Sequence, residues 1–145
     1  MGGGSVKYLA DTHIWHRAIF SAELARRPLS ETVLAIWRDE PDEIALCDIS
    51  ILELSRHLRD DGNPADVCMA ALSQAVRGLE VLAIDPQTAV RSVALDWPRK
   101  KGERQHLDPA DRLIVATALA HGLVLLSEDE EIIHCAPKWG LTVIS

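Results

Sequence analysis

The stretch HLDPADRLIVATALAHGLVLLSED, residues 106–129, decides the fold. Asp108 followed by Pro109 is a helix start. An acidic cap accepts free backbone N–H groups, and proline at the first helical position lacks an N–H that would have no partner there. The segment LIVATALA (113–120) is apolar nearly all round, so this helix is buried. Gly122 stops it. LVLLS (123–127) is apolar on consecutive positions, as a strand covered on both faces must be. Two acids, Glu128 and Asp129, follow. A buried helix feeding a doubly covered strand is the crossover unit of a parallel sheet.

The same unit recurs outward from this stretch. VKYLA (6–10), EIALC (43–47), EVLAI (80–84) and LTVIS (141–145) are strand-length apolar runs. Between them SETVLAIWRDE (30–40) has Ser30 as a cap, and SILELSRHLRDDG (50–62) spaces Ile51, Leu54 and Leu58 for a helix. PADVCMAALSQAVRG (64–78) runs from Pro64 to Gly78, and DPQTAVRSVALDW (85–97) repeats the Asp-Pro start. The expectation is an α/β fold with a mainly parallel, twisted sheet of about five strands, covered on both faces. One domain spans 6–145; the opening MGGGS (1–5) has the composition of a flexible linker or tag remnant.

At 145 residues the chain suits a single core, and with only 4% aromatic residues that core is aliphatic. The net charge of −7 excludes a generally basic, phosphate-coating surface. A nucleic-acid role must rest on a local basic patch or on metal ions. Cys47, Cys68 and Cys135 lack metal-ligand spacing and read as reduced cysteines of a cytoplasmic protein. No apolar run reaches the roughly 20 residues needed to span a bilayer, and no leader precedes a cleavage site, so no membrane role is expected.

In an open parallel sheet, ligands bind beyond the carboxyl ends of the strands. Asp11, Asp48, Glu53, Asp85, Asp108, Asp111, Glu128 and Asp129 all fall at strand ends or in the helical turn that follows. Helix capping accounts for several of them: Asp85 and Asp108 as N-caps, Ser50 with Glu53 as a capping box, and Asp111 at a capping-box position. Two resist. Glu53 lies about 160° around its helix from the Ile51, Leu54 and Leu58 stripe. Asp11 sits in LADTHIW, where no long cap-started helix is obvious, and its apolar neighbours make it a partly buried carboxylate. Several such carboxylates repel one another, and a divalent cation relieves the repulsion. Oxygen-only clusters suit Mg²⁺ or Mn²⁺.

In this order, LADTHI, ISILEL and LDPADRLIVATALAHGLVLLSED resemble the motifs of PIN-domain nucleases, and most of all those of VapC-type toxins of toxin–antitoxin pairs. The resemblance runs from about Tyr8 to Ser145, and its specific part is D-P-x-D-R-L-I-x-A-x-A followed by Gly, an apolar strand and S-x-D. It implies a three-layer α/β/α fold and Mg²⁺- or Mn²⁺-dependent endoribonuclease activity leaving a 5′-phosphate and a 3′-hydroxyl. It also implies a homodimer and a cognate antitoxin whose tail blocks the acidic cleft. Carried over by motif, Asp11, Glu53, Asp111 and Asp129 are the catalytic metal ligands. Thr12, Asp108, Arg112 and Ser127 support the ligands or the substrate. After DTH, the stretch IWHRAIFSAELARRP departs from the family's more continuous apolar run, and a displaced or remodelled first helix is expected there.

Arg112 and the RKKGER loop, with Arg99, Lys100, Lys101 and Arg104, are candidate RNA phosphate contacts. The plainer alternative is a solvated loop, with Arg112 a surface side chain paired to Asp111 or Asp108. His13 is either a phosphate or water contact or a satisfied helix-start residue, and its spacing from His16 does not make a zinc site. Trp15, Trp37 and Trp97 read as core or as partner anchors. The main alternative function is a catalytically inert module of the same fold that acts through a protein partner. A phosphatase would want D-x-D where this chain has DTH, and a receiver domain would want paired acids and a strand-end Lys; neither pattern is evident.

Overall fold

The computed structural model describes residues 6–96 and 109–145, with backbone alone at 21–23. Asp108, Trp97 and the basic loop with Arg99, Lys100, Lys101 and Arg104 lie outside the described residues, as does 1–5.

Five strands form one parallel sheet: β1 (Tyr8–Ala10), β2 (Ile44–Cys47), β3 (Glu80–Leu82), β4 (Val124–Leu126) and β5 (Val143–Ile144). Their order across the sheet is β3-β2-β1-β4-β5. The central strand β1 sets Leu9 beside Ala45 on one flank and beside Leu125 on the other. From β1 the chain winds outward through β2 and β3, then returns to pair β4 on the opposite flank. The sheet is therefore doubly wound, with its topological switch between β1 and β4.

Period-two alternation divides the core into two layers. Leu9, Ala45, Cys47 and Leu125 face one side. There they meet Ile114, Val115 and Ala118 of α7 (Pro109–His121), Ile132 and Ala136 of α8 (Glu130–Trp139), and Leu95 beyond α6 (Pro86–Ser92). Ala10, Ile44, Leu46 and Leu126 face the other. They are covered by Ile14 and Trp15 of α1 (Thr12–Ile19), Val33 and Ile36 of α3 (Glu31–Asp39), Leu54 of α4 (Asp48–Asp60), and Leu72 and Val76 in and just past α5 (Ala65–Ala75). Helix α2 (Ser21–Arg26) packs on α1. The three-layer α/β/α expectation holds, and Trp15 is core, fully buried. All three cysteines are buried and free. No helix among the described residues is long and apolar enough to cross a membrane.

Helix α7 packs against α6, α4 and β4, as its apolar circumference requires. It ends at Gly122, whose φ of +65° lets the Leu123 N–H turn back to the Ala118 carbonyl at 2.9 Å. Ser30 and Asp85 cap their helices as expected, through the N–H groups of Val33 and Thr88. The helix from Asp85 is shorter than its pattern, ending at Ser92.

Candidate active site

The site forms where β1 and β4 end side by side. The Asp11 N–H donates to the Leu126 carbonyl at 2.9 Å, extending the β1–β4 ladder by one step before α1 begins. No long helix starts at Asp11, as the sequence suggested, but a short one does: Asp11 is the N-cap of α1, and its Oδ1 accepts from the Thr12 N–H at 2.8 Å. The helix has only eight residues and carries His16 and Arg17 in its last turn, so its apolar signal is weak. Oδ2 of Asp11 accepts from Ser127 Oγ at 2.7 Å and faces His13 Nε2 at 3.2 Å.

Asp11 is 1% exposed. Burial alone pushes its carboxyl pKa up. The hydrogen bond and charge of His13, with the Ser127 hydroxyl and the Thr12 amide, outweigh burial and hold it below the ordinary carboxylate value. The His13 imidazole is raised in turn, first by its hydrogen bond to Asp11, against burial, and then by the charges of Asp11, Asp111 and Asp129. Three acids from three elements thus act on one imidazole. His13 contacts Asp11 directly, and the carboxylates around it favour its protonated form.

The fourth acid is tied in through Thr12. Its Oγ1 lies 2.5 Å from Glu53 Oε1 and 2.8 Å from Ser50 Oγ. A hydroxyl has one proton and the carboxylate is the stronger acceptor, so Thr12 donates chiefly to Glu53, with Ser50 Oγ as its second acceptor. The Ser50–Glu53 capping box expected from sequence is not formed. Helix α4 begins earlier, at Asp48, with Cys47 in the cap position and no side-chain cap. Ser50 and Glu53 turn across to α1 instead.

On the β4 side, Ser127 is fully buried and its Oγ also accepts from the Asp129 N–H at 3.1 Å. Asp129 caps α8, with Oδ1 accepting from the N–H groups of Glu131 at 2.9 Å and Ile132 at 3.1 Å. Between them, Glu128 takes Arg17 Nη2 at 2.6 Å. Arg17 is buried, and its other nitrogens donate to the His13 carbonyl at 3.3 Å and the Arg27 carbonyl at 3.2 Å. Sequence reading took Arg17 only as a departure from pattern. Its pairing partner lies 111 positions away, and no local spacing signals it.

Asp111 is half-buried in the first turn of α7. Arg112 corrects an expectation. It is 9% exposed rather than a surface side chain, and its Nη1 donates to the Ser92 carbonyl on α6 at 3.3 Å. Among the described residues, no three His, Cys, Asp or Glu side chains close on one point as they stand.

The PIN domain family model matches residues 8–136, and the chain belongs to that family. Solved structures share the fold at low identity. FitAcB from Neisseria gonorrhoeae is 22% identical, with a TM-score of 0.67 over 95% of this chain and 96% of that one. VapBC2 from Rickettsia felis, bound to a DNA fragment from its promoter, is 17% identical, with a TM-score of 0.66 over 96% and 98%. A toxin–antitoxin complex from Klebsiella pneumoniae is 21% identical, with a TM-score of 0.59 over 96% and 97%. No curated protein matches the chain.

Proposed function

We propose that this chain is a Mg²⁺- or Mn²⁺-dependent endoribonuclease of the cytoplasm, the toxin of a toxin–antitoxin pair. It works as a homodimer and is restrained by an antitoxin that enters the acidic cleft. The observation that carries this reading is the set of Asp11, Asp111 and Asp129 acting on His13, with Glu53 linked through Thr12, at the topological switch of the sheet. Membership of the PIN family and likeness to toxin–antitoxin structures support it.

The donor chemistry fits a hard divalent ion, since Asp11, Glu53, Asp111 and Asp129 offer carboxylate oxygens alone. Bound there, the ion lowers the pKa of water and offsets charge on the phosphoryl oxygens. The chain's own residues hold that donor set in place. Ser127 fixes the inner oxygen of Asp11, and Thr12 aims Glu53. The α8 N-terminus uses one oxygen of Asp129 and leaves the other available. His13 faces the Oδ2 of Asp11 that an ion would share.

Total RNA incubated with the pure protein should be cut in Mg²⁺ and left whole in EDTA. Asp11→Asn and Asp111→Asn should each lower cleavage about a hundredfold or more while thermal unfolding stays cooperative. Unchanged cleavage in both variants would overturn the assignment. The contact of His13 with Asp11 Oδ2 favours one competing reading, an inert module acting through its partner. Calorimetric Mn²⁺ titration separates the two, because an inert module has no need of the ion.

A further inference from the structure

Helix α4 carries a polar stripe that runs on from the acid centre. Glu53, Arg56, His57 and Asp60 are spaced three, four and seven apart, which places them along one face of the helix. They line a cleft of about 200 Å³. Glu53, at one end, is held by Thr12 next to Asp11, so the cleft opens directly from the acid centre. At its side the His57 ring stands 5.5 Å from the His16 ring of α1, tilted by 33°, and His16 meets Phe20 edge-on at 5.1 Å. These three rings form a short chain whose outer member, His57, is exposed. Arg56 is exposed too. Asp60 lies one turn away, yet Arg56 has no ion-pair or hydrogen-bond partner among the described residues.

We propose that this cleft is a nucleotide-binding subsite for single-stranded RNA flanking the cleaved bond, with Arg56 on a backbone phosphate and His57 stacked on a base. The proposal rests on the ribonuclease reading and names the part of the protein that holds its substrate. A chain of charge −7 needs a local cation beside its acid centre to seat a polyanion, and Arg56 is the unpaired cation that lines the cleft. The ring chain supplies a stacking face that is already organised and indifferent to base identity. Glu53 and Asp60 also line the cleft, so Arg56 is the group there that pairs with a phosphate, and a basic peptide is the competing occupant that the test includes.

The test uses the full chain carrying Asp111→Asn, kept in Mg²⁺, with a fluorescein-labelled single-stranded RNA of mixed sequence followed by anisotropy. Adding Arg56→Ala should weaken binding about tenfold and reduce the salt dependence by about one phosphate contact. His57→Ala should weaken binding several-fold, and His57→Phe should restore it because the ring face survives. In the otherwise unaltered enzyme, Arg56→Ala should raise KM and hold kcat. If Arg56→Ala and His57→Ala both bind the RNA like their parent, the subsite is wrong even though Asp111→Asn is inactive. If instead these variants lose only a Lys- and Arg-rich synthetic peptide, the cleft belongs to a protein partner and the proposal falls. A parent protein that leaves total RNA whole in Mg²⁺ refutes the nuclease reading separately, and binding of the RNA still decides the subsite.

Discussion

The carboxyl edge of the sheet has two halves, and acids end the strands of both. At the switch, beyond β1 and β4, Asp11 is buried and braced by a hydroxyl, an amide and an imidazole, and its neighbours act on the same imidazole. On the flank, beyond β2 and β3, Asp48 accepts from the Ile84 N–H at 3.3 Å and from the Cys47 thiol at 3.9 Å, and Asp85 caps α6 from an exposed position. Both halves use the same residue type at the same place in the crossover unit. They differ in position: at the switch two neighbouring strands send α1 to one face and α8 to the other, which is where an open sheet leaves a crevice. Topology, more than residue type, separates a site from a cap.

The sharpest way to break this contrast is Ser127→Ala. It removes the donor to Asp11 Oδ2 and the acceptor of the Asp129 N–H together. RNA cleavage should fall about tenfold or more, and stability by about 1–2 kcal/mol, read from urea unfolding. Arg17→Met comes next. It strips Glu128 of its buried partner and frees the turn that carries Ser127 and Asp129. A loss of about 2 kcal/mol is expected, less than for a fully buried pair because Glu128 is partly solvated. A double-mutant cycle with Glu128→Gln should recover most of that loss as coupling. Asp85→Ala, on the flank, should leave cleavage unchanged and lower the unfolding midpoint by about 3 °C. The Thr88 amide and hydroxyl hold the Asp85 carboxyl below its usual 3.8. Its capping contribution is therefore present above that value, and the gap between variant and parent closes as pH falls through the depressed pKa.

Much of this was legible in the chain. Doubly apolar runs gave all five strands, and Asp-Pro starts and glycine stops gave the longer helices. Strand-end position gathered Asp11, Glu53, Asp111 and Asp129. What escaped depends on contacts far apart in sequence. Ser50 and Glu53 match a capping box letter for letter, yet they turn to Thr12, 38 and 41 positions away. Arg112 looked like a surface cation because its acceptor belongs to another helix. The stripe of Glu53, Arg56, His57 and Asp60 was readable as a helical face continuous with a site residue. It was missed because that helix was read only for its capping pair and its apolar stripe.

The bond from Ser127 to Asp11 spans 116 positions. Strand β1 is made early but is flanked by β4 only when residues 124–126 are in place. Closing so long a loop comes late and slowly in folding, because its entropy must be met before the contact exists. A chain emerging from its amino end therefore carries Asp11 through most of its synthesis without the hydroxyl that orients it. The acid centre is assembled by completion of the sheet, so truncated or half-folded forms of this protein lack it.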